Sequence, residues 1–207
     1  MVRLVLILLL VIAGALVVAL VRDQRGRRGE RIDRLRWAFL HGTPLAGYSR
    51  GGALEEYAHR GGMRFRIPAS WIVETEERAP PAAPSSGRRL RVEVLQLEGP
   101  PGGGTDGVVQ ALKGLKPEGE QSIEVLANGN VLMKTVDATR SGGVEQVVYS
   151  WRLGRAVPPR GARIAVFRLS LPIETAPDVI AQSDLATVDR EVRSASFADE
   201  PPGPSVA

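Results

Sequence analysis

The side chains in this sequence that could break and form bonds are few, and their spacing keeps them from one another. His41 and His59 are the only histidines, eighteen residues apart, and both fall in a stretch that reads as a linker. The chain has no cysteine, so the domain that follows has neither an imidazole nor a thiolate, and a serine–histidine–aspartate or cysteine–histidine device would lack its base. The two histidines read as solvated linker residues rather than as metal ligands, and a thiolate zinc site is excluded. Glu74, Glu76 and Glu77 offer an acid–base pair or a hard-cation site, against the plainer reading of solvated like charges on a strand end. Gly102, Gly103 and Gly104 precede a predicted helix, but the G-x-x-x-x-G-K spacing is missing. Asp106 at the helix start would repel a phosphate, so the glycines read as a turn. Catalytic, cofactor and metal residues are therefore assigned nowhere.

Two further groups are candidates for binding rather than catalysis. Trp71, Trp151, Tyr149 and Phe167 could line a ligand groove. Tyr149 and Trp151 are in phase with Val147 and Leu153, however, which is the spacing of a strand face turned to the core. Arg152, Arg155, Arg160 and Arg163 straddle a loop around Pro158 and could form a positive rim for an acidic partner or lipid headgroups, the alternative being a solvated loop.

What would carry these residues is organised around Leu4 to Val21, eighteen positions without a charge. As a helix this run reaches roughly 27 Å, close to the roughly 30 Å of a bilayer's hydrocarbon core. A cleaved signal peptide is the alternative, but its n-region has only Arg3 and no convincing small-x-small cleavage site precedes Arg22. Seven arginines follow, Arg22, Arg25, Arg27, Arg28, Arg31, Arg34 and Arg36, against Asp23, Glu30 and Asp33. By the positive-inside rule they keep the rest of the chain cytoplasmic. Glu30 to Leu40 interleaves Ile32, Leu35, Trp37, Phe39 and Leu40 with arginines, which predicts a short helix at headgroup depth. It would either grip anionic lipids or serve as a stop-transfer collar.

The net charge of +4 resides beside that run: residues 1–61 carry ten arginines against five acids, whereas residues 62–197 carry 17 basic against 16 acidic side chains. A nearly neutral domain argues against nucleic acid as a partner. The organisation read from composition is an anchor at 1–21, a basic juxtamembrane segment and linker at 22–61, one domain at 62–197 and a proline-rich tail at 198–207.

Within the domain, Met63, Phe65 and Ile67 alternate with arginines as a half-buried strand ending at Pro68, and Trp71 and Val73 suggest a second short strand. Leu90, Val92 and Val94 predict another, with a bulge where the phase slips at Leu95 and Leu97. Thr105 is placed to cap a helix carrying Val108, Val109, Leu112 and Leu115, stopped by Pro117. Asn128-Gly129 predicts a tight turn with positive φ at both positions, and Ser141 to Gly143 another turn. Ala162 to Leu171, apolar on both faces, reads as a central strand. Thr175-Ala-Pro-Asp178 opens a helix whose Ala181, Leu185, Val188 and Val192 form one apolar stripe.

The run Phe65-Arg-Ile-Pro68-Ala-Ser-Trp71, the meander of strands and the final helix ending Arg193-Ser-Ala-Ser-Phe197 resemble the PsbP-like superfamily, over residues 62–197. That group includes photosystem II extrinsic subunits, the Ran-binding Mog proteins of eukaryotes and many bacterial envelope proteins. The resemblance implies an α/β/α sandwich with an antiparallel sheet flanked by helices, and a binding or accessory role without catalytic residues. It also implies a periplasmic domain, against the cytoplasmic side that the arginines favour. The reading that follows is a single-pass, non-catalytic binding or assembly module of the bacterial inner membrane whose partners are the lipid bilayer and an unidentified protein. A membrane-tethered envelope hydrolase and a lipid-organising structural protein are the rivals.

Overall fold

A computed structural model describes residues 29–41, 53–75, 88–98, 103–115, 120–159 and 161–198. The apolar run Leu4 to Val21, the arginines Arg22, Arg25, Arg27 and Arg28, and the tail from residue 199 lie outside these. Among the described residues no helix is long and apolar enough to cross a membrane.

The main sheet has six strands in the order β3-β4-β8-β7-β6-β5. These are β3 (Ile72–Glu74), β4 (Arg89–Leu97), β5 (Gln121–Val125), β6 (Val131–Ser141), β7 (Val144–Ala156) and β8 (Ala162–Pro172). β8 lies between β4 and β7, as its apolar character on both faces predicts. Phe167, Leu169 and Leu171 point into one core cluster and Ala162, Ile164 and Val166 into the other. α2 (Gly104–Leu115) covers the second face, while α3 (Val179–Ser194) and residues 29–41, helical and labelled α1, cover the first. The fold is thus α+β with helices on both sides of a sheet.

Several expectations change at this level. β3 runs parallel to β4, so the sheet is mixed rather than antiparallel. β2 (Met63–Pro68) leaves the main sheet altogether and forms a three-stranded one, β1-β2-β9, with β1 (Leu54–His59) and β9 (Ser196–Phe197). Leu54–His59 is therefore a strand within the stretch expected to be linker. Its charged residues mask the alternation, but an edge strand needs only its backbone and one good pair, which Tyr57 makes with Phe65, ring centroids 5.2 Å apart. β4 has no bulge: its register on β8 is unbroken from Leu90 to Leu97. Leu95 and Leu97 fall out of phase because they meet α2, whereas Leu90, Val92 and Val94 meet the opposite core.

Turn chemistry is redistributed too. Gly129 alone takes positive φ (79°); Asn128 does not, and its Oδ1 accepts the Asn130 N–H at 3.1 Å in a three-residue loop. The two-residue turn with both positions positive is Gly142-Gly143, at 57° and 83°. α2 starts at Gly104, one residue ahead of Thr105, so Thr105 lies in the first turn rather than at the cap. α3 starts after Asp178, with Pro177 outside the helix, and its stripe of Ala181, Leu185, Val188 and Val192 is buried as predicted.

Candidate functional site

α2 covers only one end of its sheet face. Val108 and Leu112 pack on Val131, Met133, Ile164 and Val166, and they come so close to Gly154 that a Cβ there would stand 2.5 Å from Val108 Cγ1. Beyond this footprint the same face turns polar. Strand register places Arg91, Arg168, Ser150, Thr135 and Gln121 in one row across five strands, with Glu93 and Arg152 in the next row.

The charges on this face are linked. Glu93, 8% exposed, accepts from Arg168 Nη1 at 2.8 Å, and Arg91 Nε stands 2.8 Å from the same Oε1. Arg152, 7% exposed, donates from Nη1 to the neutral Thr135 hydroxyl at 3.1 Å. Burial holds the Arg152 guanidinium below its usual range, with Arg168 adding to the effect and Asp137 opposing it. The Gln121 side-chain oxygen, at the end of the row, is buried without a partner among the described residues. Such a surface, with two guanidiniums set side by side, is suited to accept an anionic group.

On the opposite face a second network fastens elements together. The Lys134 ammonium donates to the Phe39 carbonyl at 2.8 Å, lies 5.0 Å over the Phe39 ring and stands 3.7 Å from Asp189 Oδ1. Phe39 belongs to the last turn of α1, where carbonyls lack helical partners and a cation is favourable. Burial pushes the Lys134 pKa down, and Asp189 opposes the shift. Arg193 Nε donates to Asp189 Oδ2 at 2.7 Å and chelates Glu124 through Nη1 at 2.9 and 3.0 Å.

This network overturns the headgroup-level reading of residues 30–40. Leu35 and Leu40 are buried, and Phe39 packs edge-to-face on both Tyr149 and Trp151, with centroids at 5.0 Å. The apolar side of α1 therefore faces the sheet, and of its large apolar side chains only Trp37, 63% exposed, is left to solvent. Arg31 and Arg34 are exposed, and Arg36 stands 3.2 Å from Asp33.

The predicted arginine rim does not form. Arg152 and Arg155 are three residues apart on a strand, an odd spacing that sends them to opposite faces. Arg163 pairs across strands with Arg155, is 5% exposed and donates to the Ala198 carbonyl at 3.0 Å, while Arg155 reaches the Phe197 carbonyl at 3.4 Å. Arg160 lies outside the described residues. Nor do the aromatics make a groove: Trp151, Tyr149 and Phe167 are fully buried, and Trp71 is half-buried against the same core. His41 sits 3.2 Å from Glu120, and His59 Nδ1 accepts the Gly61 N–H at 3.0 Å, so each has a local role. Glu74 pairs with Arg89 at 3.0 Å; Glu76, Glu77 and Gly102 lie outside the described residues. Sequence reading missed Arg91, Glu93, Arg168 and the Lys134–Asp189 pair; charged residues recurring inside otherwise apolar strands were the available signal.

The chain is similar to the solved structure of a variant of the Mog1 protein, at 12% identity, TM-score 0.47, over 71% of this chain and 97% of that one. It is also similar to LpqN of Mycobacterium tuberculosis, described as involved in cell envelope biogenesis, at 12% identity, TM-score 0.45, over 75% of this chain and 98% of that one. No protein-family model and no curated protein matches it.

Proposed function

We propose that this chain is a membrane-anchored, non-catalytic binding or assembly module with a PsbP-like domain, tethered to a bacterial inner membrane by Leu4 to Val21. Its arginine collar, from Arg22 to Arg36, sets the domain on the cytoplasmic side, and the part of it ahead of α1, Arg22, Arg25, Arg27 and Arg28, meets anionic headgroups. The partner is a protein bearing an acidic segment, received on the polar half-face of the main sheet. The observation that supports this most is Arg152: a buried guanidinium with a neutral hydroxyl acceptor and a second guanidinium, Arg168, as neighbour. An incoming carboxylate would relieve that juxtaposition.

Site-specific crosslinking from native membranes, comparing the wild-type chain with Arg168→Gln and Glu93→Gln, tests the reading. Arg168→Gln removes positive charge and should weaken capture of the partner. Glu93→Gln releases Arg91 and Arg168 and should strengthen it. A partner captured equally by all three chains does not use this face.

A further inference from the structure

The end of the main sheet where β6 turns into β7 carries apolar side chains that the fold leaves bare. Val144, just past the Gly142-Gly143 turn, is 47% exposed; Val179 and Ile180, in the first turn of α3, are 62% and 47% exposed. They belong to one end of the molecule. β8 finishes with Pro172 opposite Gln146, and the Ile173 N–H donates to the Glu145 carbonyl at 3.1 Å. Two tight turns, closed on Pro172 and Thr175 carbonyls, then start α3 at that end. The helix runs from there along the sheet past Trp151 to Phe197.

α1 begins at the same end. Gly29 and Ile32 line an open cleft together with Thr139, Glu145, Gln146 and Ile173. Between Val21, the last residue of the apolar run, and Gly29 lie seven residues, four of them arginine. That link spans about 12 Å if helical and about 27 Å if fully extended. Single exposed valines are ordinary on a protein surface. Three large apolar side chains at the one end where the chain leaves for an eighteen-residue apolar run are a different matter.

We propose that this end of the domain rests on the bilayer, with Val144, Val179 and Ile180 in the headgroup region and the β5–β6 turn pointing away from it. The proposal rests on the membrane-anchored reading above and adds to it a fixed orientation. Glu174 and Asp178, exposed beside the first turn of α3, keep the contact shallow because carboxylates stay hydrated. The exposed Arg31, Arg34 and Arg140 offset their charge toward anionic lipid.

Because the chain has no cysteine, single-cysteine variants of the full chain can report this directly. Val144→Cys and Ile180→Cys, with Ala127→Cys at the opposite end as reference, are labelled with an environment-sensitive dye and reconstituted in phosphatidylethanolamine–phosphatidylglycerol vesicles. With a lipid-borne quencher, emission at positions 144 and 180 should fall roughly twofold and emission at 127 stay unchanged, as shallow interfacial burial requires. Chains that float with the vesicles while all three labels remain equally wet overturn the orientation but leave the anchor. Labels at 144 and 180 that are shielded from water yet not quenched by lipid also overturn it, since a second copy or the apolar run itself then covers the patch. Failure to float with vesicles overturns the anchor and the orientation together.

Discussion

Trp151 and Asp189 are joined by a hydrogen bond: the indole Nε1–H donates to Asp189 Oδ1 at 2.9 Å, so the largest buried side chain is fixed to α3 and not merely packed beneath it. Trp151→Ala should lower stability by about 3 to 5 kcal/mol, through lost transfer energy and a cavity. Trp151→Phe keeps much of the volume but removes one donor from a buried carboxylate and should cost about 1 to 3 kcal/mol. Urea unfolding of the two variants checks the order, and a negligible loss for Trp151→Phe would show that the hydrogen bond contributes nothing.

Two glycine substitutions should act with opposite signs. At Gly154 an added Cβ would lie 2.5 Å from Val108 Cγ1, so Gly154→Ala must push α2 outward and should destabilise by about 1 to 3 kcal/mol. At Gly114 nothing lies within 4 Å and the residue is helical, so Gly114→Ala should stabilise by about 0.5 to 1 kcal/mol. Thermal unfolding measures both.

Tyr149 gives the protein a dependence on alkaline pH. Its hydroxyl is buried without a hydrogen-bond partner among the described residues, and burial pushes its pKa from 10 up to about 12. The unfolded chain releases this proton near pH 10 and the folded one near pH 12. The folded state therefore holds the proton more tightly between those values. Stability from this group is complete below pH 10 and falls as pH rises toward 12, by about 3 kcal/mol in all. Denaturation midpoints for the wild type and Tyr149→Phe should diverge only across that range, the variant losing less; parallel curves would assign the titration elsewhere.

The proposed cytoplasmic placement rests on seven arginines between Arg22 and Arg36. An Ala127→Cys variant places the sole thiol of the chain on an exposed turn. A membrane-impermeant maleimide should label it only after cells are permeabilised. Labelling in intact cells would put the domain on the periplasmic side, as the PsbP-like resemblance implies.

How much was legible follows the range over which each signal acts. Period-two alternation found the strands around Phe65, Val92 and Tyr149 and period 3.6 found α3, because those patterns record which face is buried, while the strand around Phe167 was marked by being apolar on both faces. The partner of each strand is not written in its own residues. β2 looks like any half-buried strand, yet it pairs with β1 and β9 instead of the main sheet. The polar face was hidden for a related reason. Arg91, Arg168 and Thr135 come from strands far apart in sequence, and only the register of β4, β8, β7 and β6 sets them in a row. Arg152 lies close to Arg155 and Arg163 in sequence, but the period of two sends it to the opposite face of the sheet. In α1, alternating arginines and apolar residues suit a lipid surface and a protein surface equally, and Lys134 and Phe39 decide between them only in three dimensions.

Arg155 and Arg163 hold the carbonyls of Phe197 and Ala198 at one end of the central strands, while Gly29 opens α1 at the other. From Glu145 to Arg155 is ten residue steps of strand, roughly 33 Å. Many domains bring their termini close together, which makes them easy to rearrange circularly or to insert into a host loop. Here a covalent closure joining residue 198 back to residue 29 would have to cross the length of a strand, about ten extended residues at the least. A short-linker permutant should therefore be poorly tolerated, and a fusion partner attached after Ala198 would start a full strand length from one attached ahead of Gly29.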